Sequence, residues 1–271
     1  MCSVPPPPPP PPRTLELKQI NSPELPSHAE INPTPKFPEI CEWASGNLEL
    51  WEACAKNSIC PQNAPFSYKY TPFESILQVG PTCGLAALSM LVKNKVTASA
   101  MLNITRTEGY SNKGEMLSCK DMVKLAEKVF RLAELENVNC TLVNGELFSN
   151  DVIEKLLEGA VLLVPYDADA NHSPCLRQGH KAHWCLVSGV IIINAPGDSL
   201  DSDSNNVYVL CKHGKSRYLA TWKLQELNNS NRNLWEFSPP RGTDSHLYML
   251  PEGGIGGENG LRNQFVIFNG L

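Results

Sequence analysis

One cysteine in this sequence lies where a polypeptide can make a thiol reactive. Cys83 opens segment 83–92, whose composition favours a helix, and Gln78 stands a few residues before it. A thiol at a helix N-terminus meets free backbone N–H groups and the positive end of the helix dipole, which both favour the nucleophilic thiolate. Pro81 suits the first turn, where an N–H is not needed. Cys83 is therefore our candidate nucleophile, with an inert core cysteine as the alternative.

A candidate partner for this thiol follows about a hundred residues later. His183 stands at the start of the apolar segment 184–194, which reads as a strand. A strand can hold an imidazole rigidly within hydrogen-bond reach of a nucleophile. We interpret His183 as the general base that takes the thiol proton and then protonates the leaving amine. Gln78 would donate a side-chain N–H to the oxyanion, together with the backbone N–H of Cys83.

Two kinds of segment must position these residues. Helical patterns come first, and Ser118 is a candidate N-cap of one of them; they cover residues 47–54, 83–92, 97–106, 118–131 and 150–157. Strand patterns dominate later, at residues 160–165, 184–194, 207–211, 218–222, 247–250 and 264–268. Helices followed by strands predict an α+β fold with an N-terminal helical half and a C-terminal antiparallel sheet half.

The beginning of the chain has a different composition. Residues 1–40 hold most of the 23 prolines, including the uninterrupted run Pro5–Pro12. Such a segment cannot bury enough apolar surface to fold, so we predict a disordered proline-rich tail at 1–40 and one folded domain at 41–271. The proline run is a ligand for aromatic-lined grooves such as those of profilin, SH3 and WW domains, or else a passive spacer.

Charge and hydropathy exclude several classes of partner. The net charge is −5, without a long basic run, which argues against nucleic acid and anionic membranes as partners. The longest apolar run is too short to span a bilayer. Ten cysteines occur without paired CxxC motifs, and the N-terminus is not a signal peptide. These features predict a cytoplasmic protein with mostly free thiols.

The two candidate segments together resemble a known class of enzyme. Gln-x-Gly-Pro-Thr-Cys-Gly followed by His-Trp-x-x-Val-x-Gly is similar to papain-like cysteine peptidases, including the bacterial double-glycine leader peptidases. Longer blocks resemble the eukaryotic family of actin maturation proteases: QVGPTCGLAAL, RTEGYSNKGEML, LLVPYDADANHSPCLRQGHKAHW, VYVLCKHGKS and WEFSPPR. The resemblance covers roughly residues 75–250. It implies a papain-like fold and an aminopeptidase that removes the N-acetylated Cys or Met from immature actin without a cofactor, exposing an acidic N-terminus.

The residue that would orient the imidazole departs from the papain-like pattern. Papain-like enzymes use an Asn or Asp here, whereas the similar stretch of this chain ends in His213. A histidine can exchange a hydrogen bond with an imidazole but supports its charge less than a carboxylate does. His213 is the predicted orienting residue, and Asp198, Asp201 and Asp203 are alternatives.

Two rival functions compete with catalysis. A zinc site could use the ligands that fall within residues 172–185, namely His172, Cys175, His180, His183 and Cys185. However, these ligands lack a matching second cysteine pair. The other rival is a non-catalytic adaptor that binds actin or profilin. We predict neither a metal nor an organic cofactor.

Two further features bear on substrate binding. Five basic residues surround the His183 and His213 segments and could attract an acidic substrate, or be ordinary solvated charges: Arg177, Lys181, Lys212, Lys215 and Arg217. Residues 109–115, hereafter the 109–115 turn, could form part of the pocket. Its last residue, Glu115, could instead cap the following helix.

Overall fold

A computed structural model describes residues 41–59, 64–194, 206–239 and 247–271. Within these ranges the helices are α1 (Leu48–Lys56), α2 (Cys83–Leu91), α3 (Ala98–Thr107), α4 (Cys119–Leu132), α5 (Asn150–Glu158) and α6 (Leu224–Arg232), with a 3₁₀ helix at Glu42–Ala44. The strands are β1 (Ser67–Tyr70), β2 (Asn139–Asn144), β3 (Val161–Asp167), β4 (Ala182–Ile192), β5 (Val207–His213), β6 (Ala220–Lys223) and β7 (Gln264–Asn269).

The strands form one seven-stranded sheet, and all pairs are antiparallel. Six strands follow the order β2-β7-β3-β4-β5-β6, and β1 pairs with β4 outside this order. The long β4 pairs with β3 over its first half and with β1 over its second half. Trp184 and Leu186 on β4 face one apolar cluster, whereas Cys185 and Val187 face the other. Both faces of β4 are covered, which explains its nearly unbroken apolar sequence.

Helix α2 lies in the centre of the first cluster, and all nine of its residues are buried. Gly84 permits its close approach to the sheet. A Cβ at Gly84 would lie 3.1 Å from Cδ1 of Trp184 and 2.7 Å from Cε of Met122. Packing on both sides thus fixes the first turn of α2, where Cys83 lies.

The α+β fold predicted from the sequence is confirmed, and the segregation of helices from strands is looser than predicted. Strands β1 and β2 and helix α6 were missed, because β1 is only four residues long and α6 is rich in Asn and Ser, which favour turns. The strand predicted at residues 247–250 is wrong, since these residues form no strand. Ser118 caps α4 as predicted, accepting the N–H of Asp121.

The predicted tail at 1–40, its boundary with the domain and the Pro5–Pro12 run lie outside the described residues. No helix in the described part of the chain has the length and apolar character needed to cross a membrane. Cys41 is disulfide-bonded. Seven other described cysteines are free thiols, as predicted for most of them: Cys54, Cys83, Cys119, Cys140, Cys175, Cys185 and Cys211.

Candidate active site

Cys83 is the first residue of α2 and is 7 % exposed. The backbone N–H groups of Trp184, Gly84 and Cys83 itself point to its sulfur and lower its pKa, as does the charge of Lys215. Burial outweighs them and raises the pKa of Cys83 to about 11. The helix terminus therefore contributes as expected from the sequence, but it does not make the free thiol a thiolate.

His183 lies near the start of β4, one residue before the Trp184 N–H that reaches the Cys83 sulfur. It is 7 % exposed. Burial, together with the neighbouring His213, His172 and Lys215, lowers the pKa of His183 to about 3. Its Nε2 atom is buried without a hydrogen-bond partner among the described residues. The imidazole is therefore neutral at pH 7, and its Nε2 is not engaged by another described residue.

A single cavity of about 590 Å³ brings the two residues together. Cys83 and His183 both line it, and Gln78 lies at its wall. The rest of the lining is mixed, with aromatic and apolar side chains beside a few polar ones: Pro81, Glu115, Met116, Leu117, His180, Lys181, Ala182, Trp184, Phe237, Ser238, Pro239 and Tyr248. A mostly apolar cavity with convergent polar groups suits a peptide end.

The pKa shifts predict how the reactivity of Cys83 depends on pH. Alkylation requires the thiolate, and the pKa of about 11 leaves the thiol protonated at neutral pH. We expect the rate of Cys83 alkylation by iodoacetamide to rise about tenfold per pH unit between pH 6 and 9. Quantitative mass spectrometry of the Cys83 peptide measures this rate, with the Cys140 peptide as an internal reference. A plateau from about pH 4 to 8 would instead indicate a thiolate–imidazolium pair.

Gln78 is held against the turn that follows β5. Its backbone N–H donates to the carbonyl oxygen of Gly214 at 2.8 Å, and its Nε2 donates to the carbonyl oxygen of Gly80 at 2.6 Å. Its Oε1 is buried without a partner among the described residues. One N–H of the side-chain amide is therefore occupied, and its second N–H is left for the predicted oxyanion role.

The position of Gln78 can be changed without mutating it. A Cβ at Gly214 would lie 2.9 Å from Cβ of Gln78 and 3.0 Å from its Oε1. If Gln78 donates to the oxyanion, Gly214→Ala should lower kcat about tenfold or more with little change in KM, as Gln78→Ala should. Gly46→Ala is the matched control, because a Cβ there meets nothing within 4 Å. Unchanged kcat in both Gly214→Ala and Gln78→Ala would exclude the role.

His213, the predicted orienting residue, lies beside His183 without a hydrogen bond to it. The two ring centroids are 5.8 Å apart at 70°. His213 stacks on Trp222, and its Nδ1 accepts the N–H of Lys215 at 3.3 Å. The orienting role remains a prediction. Asp198, Asp201 and Asp203 lie outside the described residues.

His172 also lies beside the site, which the sequence did not predict. The ring of His172 lies 6.0 Å from that of His183 and 5.8 Å from that of His213.

The residues proposed for zinc do not converge: in the described part of the chain, no group of three or more His, Cys, Asp or Glu side chains is placed to hold a metal ion.

The chain is similar to several known proteins. A family model described as "Actin maturation protease-like, C-terminal domain" matches residues 73–191. The actin maturation protease of Drosophila melanogaster is 41% identical over 231 residues, covering 85% of this chain and 82% of the relative. That of Xenopus tropicalis is 30% identical, covering 86% and 84%. Among solved structures, a C39-like peptidase from Bacillus anthracis gives a TM-score of 0.41 at 10% identity, covering 74% of this chain and 99% of that one.

Helix α2 carries Cys83 at its N-terminus and packs on the antiparallel sheet that carries His183, which gives an α+β arrangement. The protein is a peptidase of this α+β class. The chain belongs to the actin maturation protease family.

Proposed function

We propose that this protein is a cysteine aminopeptidase that removes the N-acetylated Cys or Met from immature actin. The observation that carries this proposal is the cavity that Cys83, at the start of α2, and His183, on β4, both line. Family membership supports actin as the substrate. The names of the relatives do not favour a zinc-binding protein or a non-catalytic adaptor.

The proposed reaction begins from the neutral pair. As the sulfur of Cys83 attacks the carbonyl carbon of the acetylated residue, His183 takes the thiol proton. The negative charge that forms on the carbonyl oxygen is stabilised by the backbone N–H of Cys83 and by Nε2 of Gln78. His183 then gives the proton to the leaving nitrogen of actin, and a thioester remains on Cys83. Water, deprotonated by His183, hydrolyses the thioester and releases the acetylated amino acid.

The basic residues predicted to attract actin have different surroundings. Lys212 is buried and pairs with Glu49 and Ser75, so its charge is not available to a substrate. Arg177 pairs with Asp169. Lys181 and Lys215 are exposed, and both line a smaller cavity of about 170 Å³ that also reaches His183. We therefore assign capture of the acidic actin segment to Lys181 and Lys215.

This assignment predicts a change in salt dependence. The double substitution Lys181→Glu and Lys215→Glu should lower kcat/KM for an acidic peptide roughly tenfold at low ionic strength, with much less effect at 0.5 M salt because salt screens exposed charges. Steady-state kinetics at several salt concentrations test it, with the exposed Lys93→Glu as control. An equal loss at all salt concentrations would contradict capture by charge.

The remaining parts of the proposal concern where the protein acts. We place it in the cytoplasm, and we propose that the Pro5–Pro12 run binds profilin, which would deliver actin. If so, the full-length protein should process profilin-bound actin faster than a variant lacking residues 1–40, and free actin equally fast. Equal turnover of both forms by both proteins would defeat the delivery role.

Mass spectrometry of actin N-termini tests the proposed function as a whole. Cells that lack this protein should accumulate actin with an acetylated Cys or Met, and the wild-type chain should restore the mature N-terminus. Re-expression of Cys83→Ala should not restore it. Normal actin N-termini in the deficient cells would refute actin as the substrate.

A further inference from the structure

Glu115 is a buried acid that the proposed mechanism does not use. It is 6 % exposed and lines the same cavity as Cys83 and His183. Neither of its carboxylate oxygens has a hydrogen bond of normal geometry among the described residues, and the Ser111 hydroxyl and the N–H of Glu115 itself are the nearest donors. It does not cap α4, because Ser118 performs that role. A buried, unpartnered carboxylate costs folding free energy, so its presence in a cavity wall indicates a ligand.

The segment around Glu115 is held firmly next to the nucleophile. Nε1 of Trp184 donates to the carbonyl oxygen of Met116 at 2.8 Å, which ties this segment to β4. Gly114 has a φ of 110° and packs closely on Thr82. A Cβ added at Gly114 would lie 2.5 Å from Cγ2 of Thr82. The N–H of Gly114 donates to Ser111 at 2.7 Å. The 109–115 turn is thus fixed against both the start of α2 and the start of β4.

We propose that Glu115 determines specificity by accepting a hydrogen bond from the N–H of the substrate's first residue. In a peptide from which one residue is removed, the terminal nitrogen lies only about 2.5 Å from the carbonyl carbon that is attacked. Its binding group must therefore share the cavity with Cys83, as Glu115 does. Burial raises the pKa of Glu115, and its own backbone N–H, the Ser111 hydroxyl and the charge of Lys113 lower it by a smaller amount.

The chemistry recognised is an N–H donor, which an acetylated amide and a free α-ammonium both provide. This inference rests on the proposed aminopeptidase function, in which the nitrogen is acetylated. An amide N–H needs only a neutral acceptor, whereas an ammonium needs the negative charge. Glu115→Gln keeps an acceptor oxygen without charge, and Glu115→Leu removes both. Comparing the two variants therefore shows whether Glu115 binds an acetylated amide or a free α-ammonium.

The test uses two peptides that differ only in acetylation, each starting with Met followed by three acidic residues. We expect Glu115→Leu to lower kcat/KM for the acetylated peptide about 10- to 100-fold, and Glu115→Gln to retain most of it. Exposed Glu136→Leu is the control, and thermal melting verifies that each variant folds. Equal kcat/KM in wild type and Glu115→Leu on both peptides would overturn the proposal. If kcat/KM falls equally in both variants and the free-amine peptide is the better substrate, Glu115 binds an ammonium group. That result would contradict the proposal that the substrate is acetylated.

Binding keeps this test independent of turnover. In the Cys83→Ala background, adding Glu115→Leu should weaken the Kd of the acetylated peptide at least tenfold in a fluorescence anisotropy titration. Peptide binding without any wild-type turnover would refute the peptidase reaction while leaving the Glu115 assignment to be decided by the Kd. An unchanged Kd would overturn the assignment even if the enzyme is active.

Discussion

Replacing Cys83 by Ala should abolish turnover of an acetylated actin peptide, lowering kcat by about 10⁴-fold or more. The sulfur forms the covalent bond to substrate in the proposed mechanism, and no other free thiol lines the cavity among the described residues. The substitution removes little volume, so the fold and peptide binding should persist. Steady-state kinetics and a binding titration on the same preparation measure both.

The chain offers a matched control for this experiment. Cys119 also opens a helix, α4, and is also buried. Burial raises the pKa of Cys119 still further above its usual value than that of Cys83, and Cys119 does not line the cavity. Cys119→Ala should change stability without changing kcat. The assignment of the nucleophile is wrong if Cys83→Ala keeps the wild-type kcat. It is also wrong if kcat falls as much in Cys119→Ala as in Cys83→Ala.

Replacing His183 by Ala should have an effect of similar size, about 10⁴-fold on kcat. With the pKa of Cys83 raised to about 11, the thiol cannot lose its proton at neutral pH without a base beside it. Because the pKa of His183 is lowered to about 3, the imidazole is in the basic form at neutral pH. The loss should therefore be partly recovered at high pH, as the thiol ionises without help.

His172 supplies the control for this second substitution. Its ring is about as far from the His183 ring as the ring of His213 is, at 6.0 Å compared with 5.8 Å. His172→Ala should change kcat only a few-fold. If His213 orients His183, the kcat of His213→Ala should lie between those of His183→Ala and His172→Ala. The pH profile of kcat should also shift in His213→Ala. A His183→Ala variant with near wild-type kcat and an unchanged pH profile would rule out His183 as the base.

The sequence alone was enough to find the two ends of the candidate site. Cys83 could be recognised because helix-forming residues follow it directly, and His183 because an apolar strand follows it. Both are local patterns. Helix α6 was missed because its stability comes from packing: Asn231 donates to the carbonyl oxygens of Pro165 and Gln264, far away in the chain.

Properties that depend on burial could not be predicted from these patterns. The helix dipole suggested a thiolate at Cys83, but packing of α2 in the core raises the thiol pKa. Lys212 looked like a free surface charge, yet it pairs with Glu49, 163 residues earlier in the chain. Glu115 could equally cap a helix or line a pocket, and only the fold decides between these. In each case the deciding partner is distant in sequence.

Trapping the covalent intermediate tests the central claim most directly. The enzyme should be mixed with an N-acetyl-Met peptide, quenched in acid within the first turnover, digested and analysed by mass spectrometry. The account predicts an acetyl-Met thioester on the peptide that contains Cys83, absent from Cys83→Ala. Turnover that proceeds with the acyl group on another residue, or undiminished in Cys83→Ala, would contradict it.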